Sequence, residues 1–224
     1  RYWHASERPE NSWSLPITAA DGSTIFNANG LLGLDGNEAF FQPGDIEKIL
    51  PGFSRLATGD DVILLPSDLE SNRLRVGDVV TLLGRPVTIA GFFNTTTVGQ
   101  LRNLTGDEMF PIDPAGAGQA APSLPSSSSQ QRQVLEQTYR FLSPRRCAIV
   151  PATLAESLGA RLTSVMLRPA EASEVPALAR NLARRSAFTI WESDGRHVQS
   201  YNAAASWQPQ TLSRILVPLL IAGV

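Results

Sequence analysis

The chain has 224 residues, 19 lysine plus arginine against 21 aspartate plus glutamate, and a formal net charge of -2. A hydrophobic content of 42% supplies a core and excludes wholesale disorder, and the near-neutral balance excludes a duplex nucleic-acid binder, which needs surplus cations to neutralise phosphates. The single cysteine, Cys147, excludes an internal disulfide framework and a cysteine-based zinc site.

Residues 1–24 are polar and mixed, with Trp3 and Trp13 as anchors. From Ile25 to Phe41 apolar residues alternate with Gly30, Gly33 and Asp35-Gly36, a pattern of short strands and loops. Pro43-Gly44-Asp45 opens a short helix over Ile46–Leu50, and Pro51-Gly52 closes it. Asp61–Leu65 carries a continuous apolar strand, after which Ser67 reads as the N-cap of a short helix reaching about Leu74. Val76-Gly77-Asp78 forms a turn. Val79–Leu83 and Pro86–Phe93 read as two strands joined at Gly84-Arg85.

Residues 114–133, rich in Ala, Gly, Pro and Ser, bury too little surface to offset their ordering entropy and read as a mobile loop. Helix resumes over Arg132–Leu142. Cys147–Pro151 is a strand in which Cys147 packs as a small apolar residue, and a helix follows from Ala152 to Leu162. This second strand-proline-helix unit echoes Ile63–Pro66 and the residues after it. Both run apolar strand, proline, a leucine, Glu-Ser and Arg-Leu, which makes a two-copy echo and not a solenoid. Ser164–Leu167 is a strand. Ser173–Arg185 is a helix with Val175, Leu178, Ala179 and Leu182 at helical spacing, and Phe188–Trp191 is a strand, together a βαβ or split-βαβ layer.

After Arg214 every residue to Val224 is apolar. A membrane span needs about 20 such residues, so the run is either the start of a span or a buried terminal helix. Trp207 and Arg214 stand where interfacial aromatics and snorkelling cations are found. Pro209 suits a first helical turn, and Pro218 is tolerated within spans.

Motifs for chemistry are missing. Lys48, the sole lysine, has no glycine-rich loop before it, so there is no phosphate-binding P-loop, and no Gly-x-Ser-x-Gly elbow occurs. His4 and His197 are too few for a metal site. Asp194 with His197 leaves a hydrolase dyad open beside the plainer reading of a surface turn. Asp60-Asp61 and Asp78 read as turn carboxylates without calcium-loop spacing. Asn94-Thr-Thr96 and Asn103-Leu-Thr105 match a glycosylation pattern that recurs by chance, and the four tryptophans form no spaced stacking platform. The expectation is therefore no catalytic, cofactor-binding or metal-ligating residue and no cofactor.

The string Val62-Ile-Leu-Leu-Pro-Ser-Asp-Leu69, followed by Leu74-Arg-Val-Gly-Asp-Val-Val-Thr-Leu-Leu-Gly-Arg-Pro-Val-Thr-Ile-Ala-Gly-Phe92, resembles the extracytoplasmic domain of MacB/FtsX/LolC-type ABC transporter permeases. Ala148-Ile-Val-Pro-Ala-Thr-Leu-Ala-Glu-Ser-Leu-Gly159 resembles that family's later strand-and-helix unit, and Leu212–Val224 its second membrane helix.

The resemblance implies an α+β, two-lobed extracytoplasmic domain. A sabre-like α/β lobe spans residues 26–168 and includes the loop at 114–133. A porter-like strand-helix-strand spans 169–206, a membrane helix starts over 207–224, and residues 1–25 are a remnant of the porter-like lobe. It also implies a permease that binds substrate or a partner and transmits ATP-driven motion for export, lipoprotein release or cell-wall regulation. The implied partners are an ABC ATPase subunit, a second permease copy, a periplasmic partner protein and the membrane at the C-terminal end; nucleic acid is not among them. ATP hydrolysis would lie on a separate nucleotide-binding subunit or domain, and the location would be the cell membrane, facing outward. A soluble extracellular ligand-binding module and a secreted hydrolase are the alternatives.

Overall fold

Two apolar pentads that end in proline set the architecture. In the computed structural model Val62–Pro66 and Cys147–Pro151 cross antiparallel at the middle of one sheet, with Leu64 opposite Ile149. The structure describes residues 2–4, 14–36, 45–70, 74–102, 108–111, 141–162, 165, 167, 171–185, 190–193 and 198–201. It divides into two compact units, residues 1–101 with 108–166, and residues 102–107 with 167–224.

The larger unit is a mixed α/β domain. Its strands are β1 (Tyr2–His4), β2 (Leu15–Thr18), β3 (Thr24–Ala28), β4 (Gly30–Leu34), β5 (Val62–Pro66), β6 (Val79–Leu82), β7 (Arg85–Phe93), β8 (Cys147–Pro151) and β9 (Arg161–Leu162). They form a nine-stranded sheet in the order β3-β2-β6-β7-β5-β8-β4-β1-β9. Outward from the central pair the directions repeat. Each central strand has a parallel neighbour, β7 beside β5 and β4 beside β8. Antiparallel β6 and β1 come next, and antiparallel β2 and β9 after them. The sheet is thus two-fold in pattern about Leu64 and Ile149, with β3 as the extra strand.

The echo in the sequence becomes this two-fold. Pro66 (φ -56°, ψ 138°) and Pro151 (φ -58°, ψ 146°) both have extended backbone, and each lacks the N–H a ladder needs, so each ends its strand and precedes a helical turn. After Pro66 that turn is a 3-10 segment, Ser67–Leu69; residues 71–73 of the expected helix lie outside the described residues, and Leu74 is in no helix. Pro66 occupies the cap position there, one residue before the expected Ser67. After Pro151 it is the helix Ala152–Ser157, which stops short of the expected Leu162. Gly159 turns the chain at φ 85°, and Arg161–Leu162 joins the sheet as β9.

Strands β4, β5 and β8 are buried on both faces, as strands with parallel neighbours commonly are. One face holds Ile63, Leu65, Ala148 and Val150 with Ile17, Leu82 and Ile89. The other holds Leu64 and Ile149 with Leu34, Phe53, Leu56 and Phe93. This second face is covered by α1 (Ile46–Ile49), α2 (Phe53–Thr58) and α3 (Thr95–Gly99), and the first by α4 (Ala152–Ser157).

Helix α2 was not expected from the sequence. Its N-cap is Gly52, whose lack of a side chain leaves the first N–H groups to another partner. Glu47 supplies it: Oε1 accepts from the Gly52 N–H at 2.7 Å and Oε2 from the Ser54 N–H at 2.9 Å. Glu47→Ala is expected to cost about 1 kcal/mol, the worth of a lost cap, read as a shift in the urea midpoint.

The β6–β7 hairpin turns at Leu83-Gly84, one residue earlier than expected, with φ of 50° and 83°. Positive φ at both positions is what a two-residue loop needs to match the strand twist, and Gly84 belongs second. Further along β7, Ile63 pairs with Ile89 but Leu64 with Gly91, so Ala90 is an extra residue. This bulge places Gly91 opposite Leu64, beneath the Pro51-Gly52 loop.

The smaller unit contains a 3-10 turn, Ala172–Glu174, then α5 (Val175–Arg185) and the antiparallel pair β10 (Ile190–Ser193) and β11 (Val198–Tyr201). Ala179 and Ala183, one turn apart on α5, are buried. Val165 and Leu167, expected in a strand over Ser164–Leu167, lie in no strand and are exposed. The 114–133 loop, residues 132–140 of the expected helix and the 207–224 segment lie outside the described residues.

Candidate functional site

Three of the polar side chains singled out by sequence, Lys48, Asp78 and Asn94, are consumed locally. Lys48 pairs with Asp45 one turn back at 3.0 Å, on the surface. Asp78 accepts the Arg75 N–H at 2.7 Å and so closes the turn before β6. Asn94 caps α3, its Oδ1 accepting from Thr96 and Thr97 N–H at 2.9 and 3.0 Å. Each of these roles is structural. His4 lies within β1 and Trp191 within β10, whereas Trp13, Asn103, Thr105, Asp194, His197, Trp207, Pro209, Arg214 and Pro218 fall outside the described residues.

One polar cluster does bring distant residues together. Arg85, at the start of β7, places Nε 2.7 Å from Asp61 Oδ1 and donates through a terminal guanidinium nitrogen to Ser157 Oγ at 2.8 Å. Ser157 passes its own proton to the Leu154 carbonyl at 2.8 Å. Next to it Thr153 donates to Asp60 Oδ1 at 3.3 Å. This arrangement makes a strap and not a catalytic site, because the serine proton is committed to a carbonyl instead of a base. Both charges of the Arg85–Asp61 pair are substantially exposed, so Arg85→Met is expected to shift stability by no more than about 0.5 kcal/mol in urea unfolding. Across the central pair, Arg145 Nε lies 3.4 Å from Asp68 Oδ2. That contact and Asp60–Thr153 stand four residues either side of the Leu64–Ile149 crossing and fasten both ends of it.

Among the described residues no group of three His, Cys, Asp or Glu side chains could hold a metal ion. Cys147 is buried between β4 and the second core, and burial pushes its thiol up to about 12. A thiol so placed is no nucleophile at neutral pH. The folded state keeps the proton that the unfolded chain releases near the ordinary value of 9.0, so stability is intact below pH 9 and falls above it. The expected loss is about 1.4 kcal/mol per pH unit, levelling off at about pH 12, and Cys147→Ala removes that slope. Urea titrations of both proteins between pH 8 and 11 read the difference.

Val76, Val79 and Leu83 are the exposed large apolar residues of the hairpin region. Val76 and Val79 flank the turn at one end of β6 and Leu83 sits at the other, so they form no single patch. Comparison with family models, with curated proteins and with solved structures finds no match for the chain.

Proposed function

We propose that the chain is the extracytoplasmic domain of an ABC transporter permease subunit, one that binds substrate or a partner and passes on motion driven by ATP hydrolysis elsewhere. The observation that carries this reading is the order of units. A strand-proline-turn and a Gly-Asp turn lead into a hairpin over residues 62–93, and a second strand-proline-helix follows over 147–157. A small helix-and-hairpin unit comes next, and then an apolar run over 215–224. The resemblance implies the same order except in the smaller unit, where a helix and a hairpin stand in place of the implied strand-helix-strand. In this reading the nine-stranded unit is the sabre-like lobe, with β1 and β2 of residues 1–25 pairing in its sheet and not standing apart as a porter-like remnant, and the helix-and-hairpin unit belongs to the porter-like lobe.

Physical character supports the same assignment. A sheet whose central strands are buried on both faces deforms little, which suits a body that transmits displacement. The polar groups described above are spent on caps, turns and straps, which suits a domain without chemistry of its own. No helix among the described residues is long and apolar enough to cross a membrane, so the membrane connection rests on the 207–224 segment.

The test compares residues 1–206 with 1–224 by flotation on vesicles of phosphatidylethanolamine and phosphatidylglycerol. The longer chain floats and the shorter one stays below. Equal behaviour of both as detergent-free monomers contradicts the membrane connection.

A further inference from the structure

Asn29 is the one residue between two strands of the large sheet, and a glycine follows it. We propose that this Asn-Gly pair converts in the folded protein to aspartate and isoaspartate, and that the conversion loosens β3 from the sheet. Residue 29 sits in a bend between Ala28, the last residue of β3, and Gly30, the first of β4. It is half-buried, so water reaches it, and no described residue hydrogen-bonds to its carboxamide. The other described asparagines of the large unit are held. Asn27 Oδ1 accepts from Ser14 Oγ at 3.5 Å, and Asn94 Oδ1 from the Thr96 and Thr97 N–H groups at 2.9 and 3.0 Å. Asn-Gly occurs once in the sequence. Packing accounts for its glycine: a Cβ at position 30 would stand 2.8 Å from Leu142 Cδ1. That same bareness leaves the Gly30 nitrogen unscreened by a side chain of its own.

The Gly30 nitrogen, its proton removed by hydroxide, attacks Asn29 Cγ. A new N–Cγ bond closes a cyclic imide as the Cγ–Nδ2 bond breaks and ammonia leaves. Water then opens the imide. Attack at Cγ leaves aspartate, and attack at the main-chain carbonyl carbon leaves isoaspartate, in which the main chain runs through Cβ and Cγ. In sum a water is consumed and an ammonia released, with no oxidation, reduction or further reactant. Isoaspartate lengthens the connection by a methylene, and the connection has no slack. Ala28 pairs with Leu15, the Asn29 N–H donates to the Arg146 carbonyl at 2.6 Å, and Gly30 pairs with Cys147. Strand β4 is held between β8 and β1, whereas β3 lies at the sheet edge, so β3 is the strand that gives way. The proposal stands independently of the transporter reading.

The experiment incubates the folded full chain in mild detergent, in buffers from neutral to mildly alkaline pH. Peptide mass spectrometry follows each asparagine, and enzymatic methylation measures isoaspartate. Asn29 converts about tenfold or more faster than Asn27 and Asn94. Its rate rises about tenfold per pH unit, since the attacking nitrogen must first lose its proton. The isoaspartate form, separated by chromatography, unfolds at a lower urea midpoint than the starting protein. Asn29→Gln, whose longer side chain closes the ring poorly, stays intact and keeps its midpoint through the same incubation. Conversion at Asn29 no faster than at Asn27 and Asn94, or only in protein unfolded by urea, overturns the proposal. So does an isoaspartate form whose midpoint is unchanged.

Discussion

Gly91→Ala is expected to destabilise the large unit by about 3 kcal/mol or more, seen as a lowered urea midpoint with an unchanged slope. A Cβ at Gly91 would overlap the Pro51 carbonyl oxygen and stand 2.8 Å from the Pro51 carbonyl carbon. The obstacle is backbone on both sides, so no side chain can swing away. Gly52, at φ 92°, faces the same strand, and a Cβ there would overlap the Ala90 carbonyl oxygen. The two glycines let the α1–α2 loop lie directly on β7, held from the other side by Glu47. Gly84→Ala is the control: it also has positive φ, but nothing lies within 4 Å of its Cβ position. Its cost should be about 1 kcal/mol, the backbone strain alone.

The second large effect concerns the crossing itself. Leu64→Ala and Ile149→Ala should each cost about 3 kcal/mol, since both side chains are fully buried and their removal leaves a cavity at the one point where β5 and β8 pair. The two losses should fall well short of additive, because the residues share one cavity, and a double-mutant cycle in urea measures the coupling. Additive losses would mean that the crossing is not a single packed contact. Because five of the eight neighbouring strand pairs join one of β1–β5 to one of β6–β9, either substitution should lower one cooperative transition of the whole sheet and not split it.

Much of this centre was legible in the sequence. Val62–Pro66 and Cys147–Pro151 are apolar on every residue, and a terminal proline both stops a ladder and starts a helix, so both strands and their echo could be read from composition and order. What could not be read is where the copies go. Apolar pentads do not say which neighbour they will take, and pairing β5 with β7 and β8 with β4 is a long-range outcome. Helix α2 escaped because its N-cap is a glycine and its cap is the remote carboxylate of Glu47. The Ala90 bulge left no mark beyond an ordinary Ala-Gly. The hairpin was displaced by one residue because Leu83, a poor left-handed residue by type, takes a positive φ that the strand twist imposes.

The functional side divides the same way. Asp60, Asp61 and Asp78 read as turn carboxylates, and Asp78 is one; Asp61 instead reaches Arg85, a partner that local sequence could not supply. A strap of this kind depends on the register of β5, β7 and α4 together. Ser157 donates to a carbonyl and Cys147 is sealed in the core, positions that depend on the packing of α4 and β8 and not on any local motif.

The central claim is that this domain faces outward from a membrane-embedded permease. Its most direct measurement places Asn27→Cys in the protein expressed from its own gene in its own cells, and treats those cells with a membrane-impermeant maleimide. Asn27 is exposed on β3 and Cys147 is inert, so the introduced thiol is the one reporter within this domain, and the same protein without Asn27→Cys is the background control. The account predicts labelling in intact cells once any outer barrier is opened, with the protein in the membrane fraction. Labelling that appears only after the cytoplasmic membrane is broken would contradict it.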